Sequence, residues 1–386
     1  MAGFAAPGEL IDRARAVTGL SDFGSEGFRE GLDRLTEALG EEARLSDMGR
    51  SAMEAQIADH LAQRLQVEDW YSRYPEIDEE EIVAPLIGLG LPRTGSTALS
   101  CLLAEDPAVR SIRTWEAMRP CPPPEFATQA SDPRITLAEA GMERRNRLFP
   151  RAKAMLPSTA TSPSECQTFM AMDFKSQIFQ AFAHIPSYVA WFNHDADLVP
   201  TYAYVKRILK LLQWRCGPKR WRLKNPTNSM FISALDTVFP DARFWMTHRD
   251  VASVLPSVAD LYYEFSKAYS DSVDKAWLGE IATEFCALGM ERMIAFRDSG
   301  QDHRFFDIHF AEFQRDPFPQ MQALYAWLGE ELTEDARARM QAWRAHTPRD
   351  KHSAGRSDPS DFGLDGDAIR EQFDFYTQRF GVPTTA

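Results

Sequence analysis

Apolar residues recur along the first part of the chain with the spacing of one helix face. They fall at Phe28, Leu32, Leu35 and Leu39, and again at Met53, Ile57, Leu61 and Leu65, in steps of three and four that bring side chains to one side of the helical turn. Residues 1 to about 80 therefore read as helices. The stretch closes at Arg73-Tyr74-Pro75, because proline disfavours helical backbone in the residue before it. The acidic run Asp78-Glu79-Glu80-Glu81 that follows reads as a solvated loop.

The pattern then changes. A short apolar run, Ile82-Val83-Ala84-Pro85-Leu86-Ile87-Gly88-Leu89, leads into a glycine-containing turn and a helical stretch from Thr97 to Ala104, stopped at Asp106-Pro107. This is strand, loop, helix. Further strands are expected at Trp221-Arg222-Leu223, at Ala242 to Thr247 and at Arg304 to Ile308, with intervals long enough for crossover helices. The expected fold class is α/β: a parallel sheet flanked by helices, with residues 1–80 as an N-terminal helical extension and 81–386 as the α/β domain. The extension is open to three uses: a lid, a homo-oligomer surface or plain packing. An aromatic stretch (Phe169, Phe174, Phe179, Phe182, Tyr188, Trp191, Phe192) interrupts the alternation, and the tail ends in a helix from Asp367 to Phe380.

Composition narrows the function. With 44% hydrophobic and 26% charged residues over 386 positions, the chain is that of an ordinary globular protein. Its formal charge of −13 argues against general nucleic-acid binding, which needs many Lys and Arg on phosphates, but leaves room for a small anion in a locally basic cleft. The five cysteines are odd in number, and their spacing suggests neither disulfide framework nor metal site. The first residues lack a basic and an apolar region, and no apolar run reaches the length of a membrane span. A cytoplasmic protein is expected.

Gly90-Leu91-Pro92-Arg93-Thr94-Gly95-Ser96-Thr97 fits the phosphate-loop pattern GxxxxGK[ST] everywhere except the lysine, where Ser96 stands. A loop between strand and helix points backbone N–H groups and the positive end of the helix dipole at an anion. Without the lysine that reaches β- and γ-phosphates, ATP or GTP hydrolysis is a poor reading, and Arg93 is the substitute cation. A second constellation, Thr247-His248-Arg249-Asp250, puts Arg249 just past a strand end with Ser257 eight residues on. Ligands of open parallel sheets bind outside the carboxyl ends of strands. A guanidinium and a hydroxyl there would hold a second phosphate.

These segments together resemble the bacterial sulfotransferases that use 3′-phosphoadenosine 5′-phosphosulfate (PAPS). Pro92-Arg93-Thr94-Gly95-Ser96-Thr97 is similar to their 5′-phosphosulfate loop, and Arg249 with Ser257 to their 3′-phosphate site. The likeness extends through Asp106-Pro107, Thr114-Trp115-Glu116, Ser162-Pro163-Ser164-Glu165-Cys166, Trp221-Arg222-Leu223-Lys224-Asn225-Pro226 and Phe362-Gly363-Leu364. It implies that Thr94, Gly95, Ser96 and Thr97 bind the 5′-phosphosulfate. Arg93 or Lys224 would stabilise the sulfuryl and bridging oxygens, and Arg249 and Ser257 would take the 3′-phosphate. Arg349, Lys351 and Arg356 would close over the cofactor. The product would be adenosine 3′,5′-bisphosphate, and the scheme requires no metal.

The family often carries a histidine four residues after the lysine of the strand-end motif, where this chain has Asn228. An amide cannot act as a base but can orient the acceptor. Proton removal then falls to Glu116 as first choice, Glu165 as second and His248 as third. The aromatic stretch reads either as core or as the wall of an apolar acceptor pocket for a phenol, sterol or lipid-like alcohol. Two other functions remain open from the sequence: an ATP-dependent small-molecule kinase, and a non-catalytic adapter that keeps the fold.

Overall fold

The computed structural model describes residues 3–156, 158–347 and 358–384. Five parallel strands, β1 (Leu86–Leu89), β2 (Val109–Arg110), β3 (Arg220–Lys224), β4 (Arg243–His248) and β5 (Phe305–His309), lie in the order β2-β3-β1-β4-β5. Four of them match the apolar runs of the sequence. The expected first strand is shorter at its front: Ala84 takes a positive φ of 41°, and Pro85, which has no N–H to give, only accepts from Arg243 N–H at 3.0 Å. The two-residue β2, pairing Val109 with Arg220, carries too little pattern to be read from sequence.

Successive side chains of a strand point to opposite faces, and the cores on the two sides of the sheet follow that rule. Ile87, Leu89, Phe244, Met246 and Phe305 enter the larger core, whereas Leu86, Trp245 and Ile308 enter a smaller one completed by Leu99, Leu102 and Tyr325. Gly88 pairs in register with Trp245, and a Cβ on it would lie 2.0 Å from the indole. Only glycine lets β1 and β4 sit side by side there.

The N-terminal helices α1 (Pro7–Thr18), α2 (Phe28–Glu41) and α3 (Asp47–Arg73) form as the periodicity predicts. Phe28, Leu32, Leu35, Leu39, Met53, Ile57, Leu61 and Leu65 are all buried, and they belong to the same core as Phe174, Phe179 and the sheet. Arg64 is wholly buried at this seam. It donates to Phe23 O and Ser25 O, pairs with Asp173 at 3.1 Å, and lies against the Phe28 and Tyr204 rings. The acidic run is pinned rather than merely solvated, since Asp78 pairs with Arg207 and Glu80 accepts from Gln213.

The aromatic stretch is core. Phe169, Phe174, Phe179, Tyr188 and Phe192 are buried, with Phe28 and His60 of the N-terminal helices packed on Phe174 and Phe179. This removes the ground for reading an apolar acceptor from those rings. The tail helix is broken in two at Phe373, giving Gly366–Gln372 and Asp374–Phe380. No helix among the described residues is long and apolar enough to cross a membrane.

Candidate active site

The carboxyl edge of the sheet collects the candidate residues. Between β1 and α4 (Ser96–Ala104) the chain turns through positive φ at Gly90 (106°), Arg93 (61°) and Gly95 (87°). Gly95 is also held close to the Phe310 ring, 3.0 Å from where a Cβ would stand. The loop is braced from beneath. Gly90 N–H donates to Ser229 Oγ at 2.6 Å, and the buried Thr94 hydroxyl donates to Leu91 O at 2.8 Å and lies 2.5 Å from Thr247 Oγ1 on β4. The Thr94 side chain therefore faces inward, and the expected contact of this residue with an anion falls to its backbone alone. The first N–H groups of α4 have no carbonyl of their own helix to bond, so the braced loop presents them, with Ser96 and half-buried Thr97, as a candidate anion site.

Arg93 forms one connected group with Arg249 and Ser257, which lie 156 and 164 residues further along the chain. Arg93 Nε donates to Ser257 Oγ at 3.0 Å, its Nη1 to Met155 O at 2.9 Å, and Arg249 Nη1 donates to Arg93 O at 3.0 Å. The Arg249 guanidinium lies over Phe310, 4.4 Å from the ring centroid. Ser257 sits on the helix Val251–Ser266, whose N-terminus is capped by Asp250 accepting from Ala252 N–H. The same helix is clasped by Arg151, which pairs with Asp260 and Glu264 and so lays the segment Pro150–Met155 across it beside Arg93.

Lys224, the last residue of β3, pairs with Glu165 Oε1. The lysine side chain is 8% exposed and the carboxylate 33%, so one partner is buried while the other keeps an open side. Glu165 is placed by a zipped loop: Ser164 N–H donates to Ile112 O, Thr114 N–H to Ser162 O and Trp115 N–H to Ala160 O. It does not cap the helix Gln167–Met170, which has no side-chain cap. Its charge is paired with Lys224.

Glu116, the first-choice base from sequence, lies in different surroundings. It is 0% exposed, its Oε1 accepts from Arg110 and Arg113, and its Oε2 accepts from the Arg113 backbone N–H at 2.9 Å. Both carboxylate oxygens are engaged, and the Arg113 contacts close the start of its own short helix, Thr114–Met118. His248 is likewise closed. Its Nε2 is 2.8 Å from Asp307, its Nδ1 is 3.0 Å from the Tyr376 hydroxyl, and its ring stacks on Phe380. Burial holds its pKa below the ordinary histidine value against the opposing pull of Asp307. Burial would raise the Asp307 carboxyl, but the forked hydrogen bonds of Arg297 and the His248 contact outweigh it and hold that group well below the usual carboxylate range.

Asn228 is also turned away from the role expected of it. It is buried, its Oδ1 accepts from the Tyr202 hydroxyl at 3.0 Å, and its amide faces the Cys166 thiol, which burial pushes up to about 12. Arg349, Lys351 and Arg356 lie outside the described residues. Three contributors were missed in the sequence. Phe310 follows β5 directly, and a position just past a strand end was the available signal. Met155 and Arg151 gave none, because their role depends on a carbonyl and on a tertiary ion pair.

Comparisons with known proteins bear on the family and the fold. A sequence profile described as "Sulfotransferase family" matches residues 85–335, which takes in the loop, Lys224 and the Arg249 segment. The fold superposes on sulfotransferase STF9 from Mycobacterium avium with a TM-score of 0.90 and 33% identity, covering 97% of each chain. Sulfotransferase STF1 from Mycobacterium tuberculosis H37Rv gives a TM-score of 0.86 and 29% identity, over 96% of this chain and 99% of that one. A search of curated protein sequences gave no significant match. A lysine-free phosphate loop, the arginine and serine joined to it, and a match that runs the length of the fold have one common reading: the chain belongs to the sulfotransferase family and is a sulfotransferase.

Proposed function

We propose that this sulfotransferase takes its sulfuryl group from PAPS and transfers it to a hydroxyl of a small acceptor, releasing adenosine 3′,5′-bisphosphate. The observation that carries the reading is the joining of two anion-binding positions at one sheet edge: the loop and α4 N-terminus for a 5′-phosphosulfate, and Arg249 with Ser257, linked through Arg93, for a 3′-phosphate. A nucleoside triphosphate would not use the second position, and Ser96 stands where its lysine would be needed.

In the transfer step Glu165 accepts the acceptor's proton on Oε1 as the acceptor oxygen bonds to sulfur. The S–O bond to the bridging oxygen breaks, and its electron pair stays on the 5′-phosphate. Lys224, at the end of β3 and in contact with Glu165, supports the sulfuryl and bridging oxygens as charge builds there, and the α4 N–H groups do the same. Glu165 is preferred over Glu116 and His248 because its carboxylate is partly open whereas the Glu116 carboxylate and the His248 imidazole are closed. Five buried cysteines without disulfides fit a cytoplasmic setting.

The test is binding followed by transfer. Adenosine 3′,5′-bisphosphate at 100 times its Kd should raise unfolding stability by about 2.7 kcal/mol, and labelled sulfate should pass from PAPS to at least one of a panel of alcohols. Stabilisation by ATP with magnesium but not by the bisphosphate would make the protein a kinase-like enzyme; bisphosphate binding without transfer to any alcohol would make it a binding protein.

A further inference from the structure

Glu165 has a second anchor besides Lys224. The half-buried Gln167 side chain extends between the Ile178 N–H and the other carboxylate oxygen, Oε2. With its oxygen 2.9 Å from Ile178 N and its nitrogen 3.2 Å from Glu165 Oε2, both ends meet a partner of opposite kind; reversed, oxygen would face carboxylate and N–H would face N–H. Gln167 is tied at its backbone as well, because its carbonyl accepts from Ser176 Oγ at 3.1 Å, on the chain just before the helix Ile178–Phe182. The amide is thus fixed at both ends, and one end is fixed on the carboxylate.

We propose that Gln167 is the positioning residue for Glu165, holding the carboxylate by Oε2 while Oε1 takes the proton. The inference rests on the reading of Glu165 as the base. The physical need arises from Lys224. Its ammonium carries three N–H donors, and as charge develops in the transfer step these are drawn toward the sulfuryl and bridging oxygens, which loosens the hold on Oε1. A base must stay within hydrogen-bond reach of the proton it removes. With Lys224 shared, the orientation of Glu165 depends on a neutral donor that has no other anion to serve. Oε2 is the oxygen occupied by Gln167, so Oε1 is the one that becomes available.

The other titratable groups facing Glu165 are Lys224 from β3, the adjacent Cys166 and Tyr262 from the helix Val251–Ser266. Burial raises the cysteine to about 12 and the tyrosine above its ordinary value, so neither titrates in the acid range. An N–H donated to a carboxylate favours its ionised form. Removing that donor should therefore move the acid limb of the kcat profile to higher pH, an effect that a purely structural glutamine would not produce.

Gln167→Met keeps the length of the side chain and removes the donor. In sulfate transfer from PAPS it should lower kcat about tenfold, the equivalent of one hydrogen bond to a charged group. KM for PAPS should stay within about twofold, and the acid limb should move upward, with thermal stabilisation by adenosine 3′,5′-bisphosphate as in the parent. Gln167→Glu, which places a like charge on Glu165, should move the limb further and carries the same readout if the methionine variant does not fold. An unmoved acid limb in a folded variant overturns the proposal, whether kcat is retained or falls together with bisphosphate binding. Glu165→Gln in the same assay separates the two claims: parental turnover there sinks the base itself, whereas a strong loss there with Gln167→Met at parental behaviour sinks only the positioning role.

Discussion

The polar groups inside this protein fall into two kinds of surroundings. Some are closed knots: Glu116 between Arg110 and Arg113, Arg64 on Asp173 and the carbonyls of Phe23 and Ser25, and, at the end of β4, His248 between Asp307 and Tyr376. At the end of β3 the Lys224–Glu165 pair is linked but not enclosed: its carboxylate is 33% exposed, against 0% for Glu116. A buried charge is tolerated when it is paired and hydrogen-bonded, and a carboxylate enclosed in that way is out of a substrate's reach. Chemistry requires a group held on one side and open on the other. The contrast separates two glutamates that sequence alone ranked almost together.

The strongest way to break the comparison is at Glu116. Glu116→Gln removes the charge that two arginines share and should cost about 3–5 kcal/mol of stability, the usual penalty for breaking a buried pair. The measurement is denaturant unfolding, with turnover per folded molecule unchanged within a few-fold. Parental stability with turnover lost would place the base at Glu116 and erase the distinction.

A smaller effect is expected at His60, an unusual member of the closed class. Neither ring nitrogen has a hydrogen-bond partner among the described residues, and the ring lies edge-on to Phe179. Burial lowers its pKa to about 4, against about 6.5 in an unfolded chain. The folded state thus holds this histidine neutral where the unfolded state protonates it. Its contribution is complete above about pH 6.5 and is lost as pH falls toward 4, amounting to roughly 2 kcal/mol at pH 5. His60→Leu should flatten the difference in unfolding free energy between pH 7 and pH 5 by about that much, and an unchanged difference would mean that the site admits the charged ring.

The fold was legible to the extent that local pattern encodes it. The helix faces of α2 and α3 and four strands follow from period and apolar runs, and the loop from Gly90 to Thr97 follows from spacing joined to a strand before and a helix after. The layout of the candidate site was legible where a residue's position is set by a strand end, as for Lys224 and Arg249. It was not legible where the role is set by tertiary partners. Nothing near Glu116 in sequence reveals that Arg110 closes over it, Asn228 gives no sign of the Tyr202 hydroxyl that occupies its oxygen, and the aromatic stretch reads either as core or as a pocket wall until α2 and α3 are seen packed on it. Burial, which decides between a fixed charge and a working one, is a property of the assembled fold.

The distinction between closed and open carboxylates is tested most directly by the turnover of Glu165→Gln with PAPS and an accepted alcohol. Loss of general-base catalysis predicts a fall in kcat of about 10²–10⁴-fold, with stabilisation by adenosine 3′,5′-bisphosphate equal to that of the parent. Parental kcat in a folded, bisphosphate-binding variant would contradict it.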